Sequence, residues 1–202
     1  MQIEKHRLVR GESRFNVQFR ESPNRGGALK PRFLVMHYTA GMGAGGAITW
    51  LCDPQAKASA HFVIDRVTGA VTQLVDGNRV AWHAGQSEWN GLQGLNQFSI
   101  GIELDNAGKL RREGGKWVNW AKRVVPDEEV VELTHKHETS PTGWHTYSAI
   151  QIEAALEVAL ALHAAYGFED ILGHEDISCG RKTDPGPAFP LSSFAARVLG
   201  RR

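Results

Sequence analysis

Phe33-Leu34-Val35-Met36-His37 is a run of four apolar residues that ends on an imidazole, with no polar break. A half-exposed strand would alternate apolar with polar. An unbroken run is what a strand buried on both faces requires, and such strands lie inside sheets covered by helices. Working outward, His61-Phe62-Val63-Ile64-Asp65 and the stretch Ala70–Val75 flank Arg66-Val67-Thr68-Gly69, which predicts a hairpin whose turn ends in glycine. The stretch from Phe98 to Leu104 predicts another strand. Phe98, Ile100, Ile102 and Leu104 share one face there, so Glu103 is displayed on the opposite one with Ser99 and Gly101.

Helical signals are fewer. A short helix is expected from Ala47 to Leu51, after a glycine-rich loop at 41–46 that lacks the Gly-Lys-Ser/Thr of a phosphate cradle. Ser148 followed by Gln151 fits a capping box, and Ile152, Ala155, Leu156, Ala159, Leu160 and Leu162 recur at helical spacing up to Tyr166, with Gly167 as the stop. Ile171-Leu172-Gly173-His174 reads as a short strand or strand end, and Leu191–Leu199 as a terminal helix. Residues 1–31 read as an extended arm ahead of a domain at 32–202. Residues 106–147, with Trp117, Trp120 and Trp144 and little periodicity, read as a long surface excursion. The class is α/β, or mixed α+β: one central, mostly mixed sheet flanked by helices.

With 202 residues the chain is long enough for one sizeable core, and 42% hydrophobic against 22% charged residues is the balance of a globular protein. A formal charge of +1, with its cations scattered, argues against a nucleic-acid partner. Met1-Gln2-Ile3-Glu4-Lys5-His6 shows no apolar secretory run, and the stretch Ala154–Ala165 is broken by Glu157 and His163, so no transmembrane segment is expected. As written, the protein is expected to be made and left in the cytoplasm, with lysis, dedicated secretion or earlier removal of a signal as other routes to the wall. Cys52 and Cys179 are too few for a disulfide scaffold. Oligomeric state is not legible.

Of nine histidines, His6, His135, His137, His145 and His163 sit where surface or core roles suffice. His37, His61, His83 and His174 each follow or end a strand-like run. His174 at a strand end and Asp184 ten residues later, across a Gly/Pro-rich loop, could converge on one metal with His37. Two nitrogens and one oxygen leave a position of a zinc tetrahedron open, as in catalytic rather than structural sites. Spacing alone also fits packed, hydrogen-bonded histidines.

A resemblance adds to this. Val35-Met36-His37-Tyr38-Thr39-Ala40-Gly41, Ser59-Ala60-His61-Phe62-Val63-Ile64-Asp65, Ala81-Trp82-His83-Ala84-Gly85, Phe98–Leu104 and Gly173-His174-Glu175-Asp176-Ile177, closing on Gly180-Arg181-Lys182-Thr183-Asp184-Pro185-Gly186-Pro187, occur in that order. The set closely resembles the type-2 N-acetylmuramoyl-L-alanine amidases, whose fold is shared with phage amidase lysozymes and peptidoglycan recognition proteins. The motifs cover about residues 32–105 and 148–190. The resemblance implies zinc held by His37, His174 and Asp184, Glu103 as general base, and Lys182 as the cation that stabilises the oxyanion. It implies peptidoglycan or a muropeptide as substrate, with His61, Trp82, His83 and Arg181 as candidates for binding it. Ala60 stands where phage lysozyme relatives have a catalytic tyrosine, which places the base role on Glu103 and resembles the branch acting on anhydro-muropeptides. Three other readings stand beside the amidase. The chain could be a non-catalytic peptidoglycan-binding module of the same fold, an unrelated zinc hydrolase, or the bearer of a purely structural metal site. The absence of His-Glu-x-x-His weighs against the common zinc protease helix, and three ligands rather than four weigh against a structural site.

Overall fold

A computed structural model describes residues 1–201; Arg202, the last residue of the expected domain, lies outside the described residues. The run around His37 forms a strand in the middle of a six-stranded sheet. In chain order the strands of that sheet are β1 (Val17–Phe19), β2 (Phe33–Tyr38), β3 (Phe62–Ile64), β4 (Val71–Gln73), β5 (Ser99–Leu104) and β6 (Asp170–Gly173). Side by side they run β6-β2-β5-β3-β4-β1. β2 pairs in parallel with β5 and β6, β5 in parallel with β3, and β1 in parallel with β4. Only the hairpin β3–β4 is antiparallel, so the sheet is mixed.

Four helices accompany it: α1 (Ala44–Leu51), α2 (Ala149–Tyr166), the single turn α3 (His174–Ile177) and α4 (Leu191–Leu199). Leu34 and Met36 of β2 join Phe62, Ile64, Ile100 and Ile102 on the face covered by Ala154, Val158, Ala159 and Leu162 of α2 and Phe194 and Val198 of α4. Phe33, Val35 and His37 point to the other face, where α1 and several loops cover the sheet incompletely. That parity decides where the chemistry lies: Glu103 is the register partner of His37 across β5–β2, so both project to the less covered side. By length and composition α2 could cross a membrane. Its apolar residues are instead the lid of the core, which accounts for that composition.

Ser148 caps α2 by accepting from the Gln151 N–H. The capping box is only half made. The Gln151 side-chain amide turns inward and donates to the carbonyls of Ile64 and Asp105, tying the ends of β3 and β5 to the helix. Gly167 ends α2 in the left-handed conformation at φ 67°. Phe98, expected on the apolar face of its strand, precedes β5 and packs with Phe33 and Val35 on the opposite side. It closes the one-turn helix Leu95–Gln97, and its carbonyl accepts from Arg32 and Phe33.

Two segments depart from the sequence reading. Residues 1–31 are not outside the core: they supply β1, a hairpin of Gln2–Glu4 with Arg7–Val9, and a strand Arg25–Ala28 paired with Arg79–Ala81. Leu8, Phe15 and Leu29 of this stretch are buried. Its apolar residues are too widely spaced to show a period, and each enters the core singly. Residues 106–147 contain a five-stranded antiparallel sheet, with Lys109–Glu113 between Lys116–Val118 and Pro141–His145, and Val124–Val125 and Val130–Thr134 at the edges. Ala107, Leu110, Trp117 and Val125 form its own small core. Strands this short and mostly wet carry little period-2 signal.

Candidate metal centre and its cleft

The sheet brings the candidate ligands together from three places. His37 lies one residue before the end of β2. His174 follows β6, whose Gly173 pairs with Met36, so the two histidines emerge side by side. Asp184 returns on the loop after α3, where its carbonyl accepts from the Glu175 N–H at 2.9 Å. Nδ1 of His37 and Nδ1 of His174 lie 3.0 Å apart, and Oδ2 of Asp184 lies 3.0 Å from the first and 2.9 Å from the second. All three side chains are buried.

The protons on these groups can be placed by following their other hydrogen bonds. A carbonyl oxygen only accepts, so Nε2–H of His174 donates to Ala84 at 3.1 Å, and in its neutral form the ring then presents a lone pair at Nδ1. Nε2–H of His83 donates to the Ser99 carbonyl at 3.3 Å, leaving Nδ1 of His83 to accept from Nε2–H of His37 at 3.0 Å. The relay therefore strips Nδ1 of His37 as well. Burial, then the neighbouring His174, depress His37 to about 4, so it is neutral at physiological pH. Burial would raise the Asp184 carboxyl, but its contacts with His174 and His37 outweigh this and hold it well below the usual carboxylate range. Two imidazole nitrogens and a carboxylate oxygen thus converge within 3.0 Å of one another, a donor set that fits a cation. Zinc–nitrogen and zinc–oxygen bonds of about 2.0–2.2 Å put tetrahedral ligands roughly 3.3 Å apart, a few tenths of an ångström wider than this triangle. Each metal-facing histidine also has its second nitrogen fixed, as metal-ligating imidazoles do.

Beside the triangle stands Glu103. Its Oε2 is buried without a hydrogen-bond partner, although the side chain as a whole is only half-buried. Burial and the charge of Asp184 push the Glu103 carboxyl up to about 8, against the opposing pull of Lys182. Two neighbouring carboxylates are therefore driven apart, one to stay ionised and one to hold a proton readily.

Residues 27–187 match the family model described as N-acetylmuramoyl-L-alanine amidase. The chain belongs to that family. It is 32% identical over 183 residues to N-acetylmuramoyl-L-alanine amidase AmiD of Escherichia coli K12, covering 86% of this chain and 56% of AmiD, so it spans little more than half the length of that relative. A solved AmpD derivative superposes with a TM-score of 0.69 at 26% identity, covering 98% of this chain and 99% of that one. AmiD from E. coli in complex with anhydro-N-acetylmuramic acid-L-Ala-D-gamma-Glu-L-Lys superposes with a TM-score of 0.62 at 29% identity, over 89% of this chain and 60% of that one. The mixed α+β fold is that of the amidases.

In this amidase-family chain the metal triangle opens into a cleft of about 460 Å³ whose walls include Trp50, Trp82, His83, Glu103, Arg181 and Lys182. Trp82 and Lys182 line it. Arg181 lies there too, but its Nη2 donates to the carbonyls of Ala84 and Gln86 and to Ser178 Oγ, so it also braces the loop that carries the acceptor of His174. His61 is a correction. It is 0% exposed, its Nδ1 accepts from the Gly101 N–H and its Nε2–H donates to the Arg79 carbonyl, so it ties strands together and cannot reach a substrate. His83 touches the cleft, but its main work is to orient His37.

Other contacts at the site carry no sequence signal. Glu175 is buried directly behind His174 and accepts from His135 at 2.7 Å and from Lys136 at 2.9 Å, while its Oε2 also accepts from the Gly186 N–H at 3.2 Å. The 106–147 sheet is therefore fastened to the ligand-bearing loop. Tyr147 adds to this by donating to the Pro185 carbonyl at 2.7 Å, and Tyr38 by its 2.8 Å bond with Thr183. Partners tens of residues apart leave no spacing to read.

Gly101 lies under the His83 ring, where a Cβ would fall 2.5 Å from Cγ and 2.6 Å from Nδ1. Gly101→Ala is expected to displace His83, release the His37 tautomer and weaken zinc binding by about 10–100-fold, the usual effect of losing a partner behind a ligand. Competition with a chromogenic chelator measures this. Unchanged affinity would mean that the relay does not orient His37.

Proposed function

We propose that this chain is a zinc-dependent hydrolase of the amide between the lactyl group of N-acetylmuramic acid and L-alanine, acting on peptidoglycan or on anhydro-muropeptides. One observation carries the reading most: two imidazole nitrogens and a carboxylate oxygen within 3.0 Å of one another, next to an unpartnered, raised carboxyl. His37, His174 and Asp184 would hold the zinc. Bound there, zinc brings the ionisation of water to near neutral pH and polarises a carbonyl as a Lewis acid.

The remaining work falls to the chain's own residues. An amide is a poor electrophile with a poor leaving group, so the reaction needs a proton removed from water and a proton delivered to nitrogen. Glu103, whose ionised form a dication in the triangle would favour, takes the first at Oε2, which has no competing donor, and returns it to the L-alanine nitrogen as the carbon–nitrogen bond breaks. The oxygen of water ends on the lactyl carboxyl. Lys182, on the cleft wall, supplies fixed positive charge where the carbonyl oxygen becomes negative. His83 and Ala84 hold the two imidazoles in the tautomers that leave Nδ1 free.

A non-catalytic recognition module would have no use for Glu103, whose burial without a partner is unfavourable for stability. The test is to incubate the purified protein with anhydro-N-acetylmuramyl-L-Ala-D-γ-Glu-L-Lys, with zinc and with chelator, alongside the same peptide free of sugar. Free peptide is expected from the muramyl substrate with zinc only. No release with zinc present would sink the amidase reading, and cleavage inside the sugar-free peptide would point to a protease.

A further inference from the structure

The cleft does not end at the metal. Beyond Trp50 it runs into a groove of about 630 Å³ between α1 with its preceding loop and the turn at 119–123, and the two spaces share Thr39, Ala40, Ala47 and Trp50 as walls. Two tryptophans dominate the groove. Trp50 is 57% and Trp120 71% exposed, with Met42 beside them. So much apolar surface in one concavity marks a binding groove rather than a chance surface residue.

Trp120 is exposed but not loose. Its Nε1–H donates to the Ala40 carbonyl at 2.8 Å, and Asn119 Nδ2 and Arg123 Nη1 approach the Ala40 and Met42 carbonyls at 3.5 Å. With its polar edge satisfied internally, the indole offers only its faces. A ring fixed in this way loses little freedom when something stacks on it.

We propose that this groove is a second saccharide subsite, which takes an uncharged N-acetylhexosamine neighbouring the muramyl residue by stacking its C–H faces on Trp120 and Trp50. The assignment rests on the amidase reading above. It commits to sugar rather than peptide because of charge. The stem L-Ala-D-γ-Glu-L-Lys bears free carboxylates, and Lys182 stands on the cleft wall outside the groove, whereas Arg181 is engaged with the Ala84 and Gln86 carbonyls. The groove itself has one cation, Arg123, already turned to a backbone carbonyl. On this division the peptide leaves along the cationic wall and the glycan continues under Trp120, so the chain would favour substrates with more than one sugar.

The test separates the groove from catalysis. Peptide-free chitotetraose is titrated into the intact protein while the indole N–H signals are followed by NMR. Saturable shifts of the Trp120 signal are expected, with affinity falling about tenfold in Trp120→Ala and less in Trp120→Phe, as the loss of one aromatic face implies. In hydrolysis, the kcat/KM ratio of a disaccharide-peptide to a monosaccharide-peptide is expected to exceed one and to fall towards one in Trp120→Ala. Chitotetraose that leaves Trp120 unperturbed, equal binding by wild type and Trp120→Ala, or saturation of the Trp120 signal by the free stem peptide instead would each overturn the proposal. Sugar binding without any peptide release would sink the amidase reading and leave the groove standing. Muropeptide cleavage by a protein that ignores chitotetraose would do the reverse.

Discussion

Asp184→Ala is expected to abolish zinc binding and muropeptide cleavage together. The carboxylate is the only anionic member of the triangle, and it lies within 3.0 Å of both imidazole nitrogens. Removing it leaves two neutral donors, too few for a site that must hold a dication and keep a position open. Affinity should fall by well over the roughly 10–100-fold seen when only a partner behind a ligand is lost. A second readout does not depend on turnover. Zinc at 100 times its Kd should stabilise the wild type by about 2.7 kcal/mol and raise its Tm, and it should do nothing for the variant. His174→Ala should behave the same way. An Asp184→Ala protein that keeps one zinc and full turnover would show that the metal, if any, is held elsewhere.

Glu103→Gln should separate chemistry from metal binding. The amide fills the same space, and the side chain is not part of the triangle, so zinc content should stay at one per chain. Without an acceptor for the water proton, kcat should drop by about 10²–10⁴-fold, or roughly 3–5 kcal/mol of barrier. The metal-free protein gives an independent check through pH. Glu103 is raised to about 8 in the fold from an ordinary value of 4.5, so between these values the folded state binds more protons than the unfolded one. Stability must then fall as pH rises through that window and level off above it. Glu103→Gln should flatten this part of the profile. A variant with wild-type turnover would remove Glu103 from the mechanism.

Much of this site is legible before any folding is considered, because it lies on segments with strong local signals. The apolar run ending at His37 is short and unbroken, as in a strand buried on both faces. The alternation from Ser99 to Leu104 fixes which side Glu103 takes. His174 and Asp184 are bound to one loop by proximity in sequence. What the alternation could not do was place Phe98, where a one-turn helix ends and the parity breaks. Nor could it separate His61 from His83. Both follow similar local patterns, yet one is locked between two backbone groups and the other accepts a hydrogen bond from His37.

The linear order of residues, then, set the strand and helix types, the parity of Glu103 and the pool of metal donors, since each depends on residues within a turn or a strand of one another. The tertiary structure alone decided the rest. The tautomers of His37 and His174 depend on carbonyls of Ser99 and Ala84 far away in the chain. The brace of Glu175 by His135 and Lys136, the burial of Phe15 and the seating of Trp120 on Ala40 likewise join segments with no pattern in common. Local periodicity reports which face of an element is apolar. Which distant group meets that face depends on how the elements pack.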